Sequence, residues 1–274
     1  MAEPTPESKF VHAGDVKIHY QEGGSGYPLI CIHGGGPGAS SWSNFKSNFP
    51  EFCKHYRTIL IDMPDYGRSD KPRVPSNWLA FVAKTLNAFM EKLDIKRAHF
   101  IGNSMGGQST IKLAIDYPDR VDRFVIIGST PIKVTVFQPM PLEGIRNIIE
   151  YYQAEGPTPA KMRQLIKSLT YDHSFITDAL VQERFEASAT PETVALFSDY
   201  FPPLEDLYLE LPRVKAKGLL IWGQDDRAGA LDVGLVMLRQ FQDARMHIFA
   251  KCGHWAHVEH REEFNRVVMQ FFGA

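Results

Sequence analysis

Six short apolar runs recur along the chain, "YPLICIH", "YRTILIDM", "RAHFIGNS", "VDRFVIIGST", "AKGLLIWG" and "ARMHIFAK", with helical patterns between several of them. This alternation constrains the fold more than any other feature. Most of the runs are continuously apolar rather than alternating, as strands covered on both faces must be, so the expected fold is α/β: a mainly parallel sheet with helices on both sides. The earlier stretch "KFVHAGDVKIHYQEGG" does alternate, and it predicts an antiparallel hairpin at a sheet edge.

The alternation stops between about Val134 and Leu211, where Pro139, Pro141, Pro157, Pro159, Pro191, Pro202 and Pro203 punctuate helical patterns such as "LEGIRNIIEYYQAE" and "PAKMRQLIKSLT". The predicted organisation is therefore a core over 1–134, a helical lid over 135–206 and a second core part over 207–274. An insertion at the carboxyl ends of the strands would roof over the place where open α/β sheets bind ligands.

A chain of 274 residues with a net charge of -2 has no basic face for a nucleic acid or an anionic membrane, which points to a small-molecule partner. Cys31, Cys53 and Cys252 form no C-x-x-C and no even framework, which fits a reducing cytosol. The segment "MAEPTPESKF" has neither a basic nor an apolar run, and no stretch approaches a membrane span. A cytoplasmic location is expected.

Ser104 lies in G-x-S-x-G, between a strand and a helical pattern. A sharp strand-to-helix turn projects a side chain from the sheet edge, and the helix behind it aims unpaired N–H groups at developing negative charge. A serine hydroxyl needs a base to take its proton and an acid to orient that base, in the chain order Ser, Asp or Glu, His. "LLIWGQDDRAG" supplies Asp225 and Asp226, and "MHIFAKCGHWAHVEH" supplies His254, each where a loop leaves a strand. Asp226 is favoured because the turn carries it furthest into the loop. His254, His257 and His260 are spaced by three and would suit a metal on one helix face, but nothing else demands one. His257 and His260 read instead as part of a solvated face. The cluster "CIHGGGPGASSWSNF" exposes backbone N–H groups that, opposite Met105, would complete an oxyanion hole. It lacks the G-K-[ST] ending of a phosphate loop.

With these residues assembled, the chain resembles the α/β-hydrolases, and more narrowly the meta-cleavage product hydrolases, the carbon–carbon bond hydrolases of aromatic degradation. The resemblance rests on "HGGGPGASSWSNF", "GNSMGG", "FQPMPLEGI", "YDHSFITDALVQERFEA", "WGQDDR", "LDVGL" and "KCGHWAHVEHREEFNRVV". It implies a triad of Ser104, Asp226 and His254, and oxyanion donors at Gly35 or Gly36 and Met105. It also implies substrate contacts from Asn44, Asn103, Ser174, Arg184 and Trp255. Read without it, Arg184 would be a surface ion pair with Glu183 or Glu186.

Two departures from the family pattern stand out. Ala228-Gly229-Ala230 replaces an aromatic and a proline, and Asp65 stands where relatives commonly have glycine. Phe137, Met140, Phe175, Phe197, Tyr200 and Phe201 are candidate walls for an apolar subsite together with Ala228. The implied reaction is hydrolysis of the C5–C6 bond of a 2-hydroxy-6-oxo-hexa-2,4-dienoate bearing a C6 substituent, expected to be aryl. No metal or cofactor is expected, and relatives suggest a homodimer or a higher oligomer. The competing functions are a serine esterase or proline iminopeptidase-like hydrolase, and a non-catalytic receptor of the same fold.

Overall fold

The apolar runs pair into one eight-stranded sheet, ordered β1-β2-β4-β3-β5-β6-β7-β8. The structure is a computed structural model that describes residues 6–74, 76–133, 137, 142–203 and 205–274. Its strands are β1 (Lys9–Ala13), β2 (Val16–Gly23), β3 (Pro28–Ile32), β4 (Arg57–Ile61), β5 (Ala98–Asn103), β6 (Val121–Ile127), β7 (Lys217–Gly223) and β8 (Ala244–Phe249). The alternating stretch is the hairpin β1–β2, and β2 also runs antiparallel to β4. Every other pairing is parallel.

Because successive side chains point to opposite faces, the apolar strands feed two cores. Ile30, Ile32, Phe100, Ile126 and Trp222 face α3 (Trp78–Lys92), α4 (Met105–Asp116) and α9 (Leu231–Gln240). Leu29, Cys31, Ile101, Ile127 and Ile221 face α1 (Ser41–Phe45), α2 (Phe49–Phe52), α10 (Ala256–Glu259) and α11 (Arg261–Phe272). The central strands are apolar over most of their length because both of their faces are covered.

Between β6 and β7 lie α5 (Glu143–Glu150), α6 (Pro159–Leu169), α7 (Asp178–Ser188) and α8 (Pro191–Phe197), with no strand among the described residues. Two prolines of this stretch start helices rather than break them. Pro159 and Pro191 occupy first-turn positions, and the side chains of Thr158, Thr177 and Thr190 cap α6, α7 and α8. The neck of the insertion is closed by Leu207 N–H donating to the Pro131 carbonyl at 2.7 Å. The helices have an apolar centre of their own (Tyr151, Met162, Leu165, Ile166, Val181), which continues onto Ala228 and Trp255 of the core.

The sheet order places the site. From β3 the chain steps outward to β4 and then crosses back to β5 on the other side of β3. At such a switch the loops leaving neighbouring strands part and open a crevice. Here those loops carry the Gly34–Gly36 cluster and Ser104.

Candidate active site

Ser104 joins β5 to α4 with φ 50° and ψ −117°, a left-handed conformation that a side chain adopts only where its surroundings enforce it. They do so here. Ser104 N–H donates to the Ile127 carbonyl at 2.7 Å, and its own carbonyl accepts from Gly107 and Gln108 at 3.0 and 3.1 Å. Gly106 is obligatory, since a Cβ there would overlap the Ile32 and His33 carbonyls. Met105 follows as the first residue of α4, where a backbone N–H has no helical acceptor.

His254 Nδ1 lies 2.7 Å from Asp226 Oδ2. The other carboxylate oxygen accepts the N–H groups of Ala228 and Gly229, both at 2.8 Å. Asp226 is buried and accepts these three contacts, so it fixes the orientation of the imidazole with Nδ1 toward the carboxylate and Nε2 turned away from it. Asp225, by contrast, is exposed. The His254 loop is fixed by its own N–H donating to the Leu169 carbonyl of the insertion at 2.8 Å.

Ser104 and His254 line one cavity of about 80 Å³, together with Gly35, Gly36, Asn44, Asn103, Met105, Arg184 and Trp255. Phe201 lines it too, so eleven of the residues singled out from the sequence and the resemblance gather here or, for Asp226, directly behind. Tyr66 ties the two sides of the expected oxyanion hole, its hydroxyl donating to the Gly35 carbonyl at 3.1 Å and lying 3.8 Å from the Met105 sulfur. Asn44 Oδ1 accepts from Gly34 N–H at 3.3 Å, and Asn103 Nδ2 donates to the Ile127 carbonyl at 3.2 Å.

Arg184 is the electrostatic centre of the cavity. It is 4% exposed and faces no carboxylate: its guanidinium donates to Ser43 Oγ at 3.2 Å and to the Pro37 carbonyl at 2.9 Å, and Nε has no partner. Trp255 lies beneath it at 5.5 Å. Glu183 is taken by Lys46 at 2.7 Å, and Glu186 accepts from Gln182 at 2.8 Å, so the expected surface ion pair is not formed. Burial pulls the guanidinium down from its ordinary value to about 10. An isolated buried cation of this kind is stabilised by an anion arriving from outside.

Other expectations are not met. Ser174 is exposed in the loop between α6 and α7, its N–H and hydroxyl both bonded to Asp172 at 2.8 Å, and it does not line the cavity. Phe137 is 83% exposed, and Phe175 is half-buried away from the site. Met140 lies outside the described residues. His257 does not sit on a solvated face: it is buried between Phe45 and Phe264, where burial first and then the neighbouring His254 charge lower it to about 3. Only His257 lies within α10, on its buried side, while His254 precedes that helix and His260 follows it, so the three histidines do not share one helix face. Among the described residues no cluster of metal-ligating side chains is present.

Two chambers of about 250 Å³ adjoin the site. One shares Ser104, Gln108 and Ile145 with it and is walled by Ile132, Leu142, Ala228, Ala230 and Val233. The other shares Gly35, Ile148, Ile149 and Phe201 and is walled by Tyr66, Tyr152, Phe197 and Tyr200. Sequence reading missed Gly128, whose φ is +56°. A Cβ there would sit 2.6 Å from His254 Nδ1 and 2.7 Å from Asp226 Oδ2. The only signal was a glycine closing the run "VDRFVIIGST".

The family described as alpha/beta hydrolase fold matches residues 27–261. The 2-hydroxy-6-oxo-6-phenylhexa-2,4-dienoate hydrolase of Comamonas testosteroni is 41% identical, over 94% of this chain and 91% of its own. A 2-hydroxy-6-oxononadienedioate/2-hydroxy-6-oxononatrienedioate hydrolase of the same organism is 37% identical, over 96% of both. The solved meta-cleavage product hydrolase of Pseudomonas fluorescens IP01 superposes with a TM-score of 0.88 at 32% identity, over 97% of each chain. The chain belongs to the α/β-hydrolases and, within that fold, to the meta-cleavage product hydrolases. It is an enzyme, and no described helix is long and apolar enough to cross a membrane.

Proposed function

We propose that this enzyme hydrolyses the C5–C6 bond of 2-hydroxy-6-oxo-hexa-2,4-dienoates, giving 2-hydroxypenta-2,4-dienoate and a carboxylic acid. The observation that carries this reading is the buried guanidinium of Arg184, without a carboxylate partner, in the cavity that holds Ser104 and His254. A simple ester has no use for it. The carboxylate and 2-oxo group of a dienoate match its planar fork.

C–C cleavage needs an electron sink at C5, and ketonising the dienol provides one. Arg184, Asn44, Asn103 and Trp255 grip the acidic end and favour that tautomer. Ser104 Oγ attacks the C6 ketone as His254 Nε2 takes its proton, and Asp226 stabilises the resulting imidazolium. Backbone N–H groups at Gly35 or Gly36 and Met105 receive the C6 oxyanion. Collapse breaks C5–C6 and leaves an acyl-Ser104; the electron pair moves through the conjugated chain to the C2 oxygen, which takes the proton held by His254 and departs as 2-hydroxypenta-2,4-dienoate. Water, deprotonated by His254, then releases the acid. Ala228, Ala230, Val233, Leu142 and Ile132 give the adjoining chamber an apolar wall suited to an aryl group on C6, beside the polar Thr130, Lys133 and Glu205.

Ser104→Ala tests the assignment. The variant is expected to bind the coloured 6-phenyl dienoate and scarcely turn it over. Wild-type turnover by that variant excludes Ser104 as the reacting group. Rapid-quench detection of an acyl-Ser104 species separates covalent attack from direct addition of water, which would use the same residues.

A further inference from the structure

Asp65 is a buried polar residue beside Tyr66 that the chemistry above leaves unused. It is fully buried, yet it adopts φ 73°, which disfavours any side chain. A strained, desolvated carboxylate persists only where several partners hold it. Asp65 Oδ1 accepts from Arg73 N–H at 3.0 Å, and Oδ2 accepts from Trp78 Nε1 at 3.1 Å and lies 3.3 Å from the Tyr200 hydroxyl. The first two partners belong to the core. Tyr200 belongs to the end of the insertion, and its hydroxyl also reaches the Val74 carbonyl at 2.8 Å.

The insertion is fastened to the core at two places of different character. At the His254 end the links are dense. Glu259 accepts from Tyr171 and Asp172 N–H at 2.7 and 3.0 Å, Arg227 pairs with Glu143 at 2.9 Å, and Leu169 holds His254 N–H. At the other end several links are ion pairs of exposed groups, such as Lys46–Glu183 and Arg73–Asp199, which water and salt weaken. Two less exposed links there are Arg184 with the Pro37 carbonyl, and Tyr200, whose one O–H proton is shared between the Val74 carbonyl and Asp65.

Tyr200 is a wall of the chamber that leads past Ile148, Ile149 and Phe201 to Ser104. Its ring stacks on Phe197 at 6.4 Å, and Phe197 packs on Tyr66 and Tyr152 at 5.3 and 5.5 Å. We propose that Asp65 is a positioning residue for the substrate's approach: by clamping Tyr200 to the core it sets the width of the chamber through which the C6 group passes to Ser104. The proposal rests on Ser104 being the reacting group, but not on which bond is broken.

The test is steady-state kinetics of the wild type, Asp65→Asn, Tyr200→Phe and the double variant, with the 6-phenyl dienoate and with p-nitrophenyl acetate. Each single variant is expected to raise KM for the large substrate about three- to tenfold, the loss that one ordinary hydrogen bond brings. Its kcat should stay within about twofold, and KM for the small ester should hold. The double variant should lose no more than the worse single one, because both changes open the same clamp. Tyr200→Phe keeps the ring and its stacking, so it reads the clamp even if Asp65 variants fold poorly. Unchanged KM in Tyr200→Phe overturns the proposal. So do additive losses in the double variant, or equal losses on both substrates. A wild type that hydrolyses only the ester refutes the dienoate reading instead, and the clamp is then read with esters of increasing bulk.

Discussion

Replacing Arg184 by Met should separate activity from stability in opposite directions. In the free enzyme the guanidinium is buried, makes two hydrogen bonds and leaves Nε without a partner. Moving its pKa from 12.5 to about 10 corresponds, at about 1.4 kcal/mol per tenfold, to a burial cost of about 3 kcal/mol. The two hydrogen bonds return about 1 kcal/mol each. Met fills similar space without charge, so the folded state should stay within about 2 kcal/mol of wild type by urea denaturation. Catalysis should not survive as well. Removing one partner from a buried charge pair costs about 2–5 kcal/mol, which is about thirtyfold to several thousandfold in kcat/KM for the dienoate. Hydrolysis of p-nitrophenyl acetate, which offers no carboxylate, should change less than about threefold. Equal losses on both substrates would refute the role given to Arg184. A large fall in stability would show that the cation is already paired within the fold.

Gly128→Ala should lower kcat by about a hundred- to ten-thousandfold while the nucleophile and base remain in place, because its Cβ would enter the space of the His254–Asp226 hydrogen bond. Activity within threefold of wild type would mean that this bond tolerates being parted. Acid should destabilise the fold from about pH 6.5 down to about pH 3. His257, held neutral by burial with a pKa of about 3, must otherwise take up a proton that the unfolded chain binds readily. His257 adds a slope of at most about 1.4 kcal/mol per pH unit in that window, and His257→Gln should flatten the curve by that share. An unchanged slope between pH 6 and 4 would assign the acid sensitivity elsewhere, for instance to His99, which burial lowers to about 4.

The sheet was readable because burying both faces of a strand leaves apolar residues at every position, a local signal that needs no knowledge of partners. Ser104, Asp226 and His254 were readable as candidates because each lies in a loop leaving the carboxyl end of a strand, β5, β7 and β8, on the same edge of the sheet. Arg184 was not readable from its surroundings in the sequence. Its neighbours Glu183 and Glu186 argue for an ion pair, and only the fold turns them toward Lys46 and Gln182. His257 was misread because its burial is set by packing against Phe45, a residue distant in the sequence, as well as Phe264. Asp65 meets Tyr200 across 135 residues, a contact that no spacing rule reaches.

Product analysis tests the central claim most directly. Purified enzyme and the 6-phenyl dienoate should yield benzoate and 2-hydroxypenta-2,4-dienoate in equal amounts as the dienolate absorbance falls, and Ser104→Ala should yield neither. An intact dienoate after prolonged incubation, with a p-nitrophenyl ester cleaved briskly by the same sample, would contradict it.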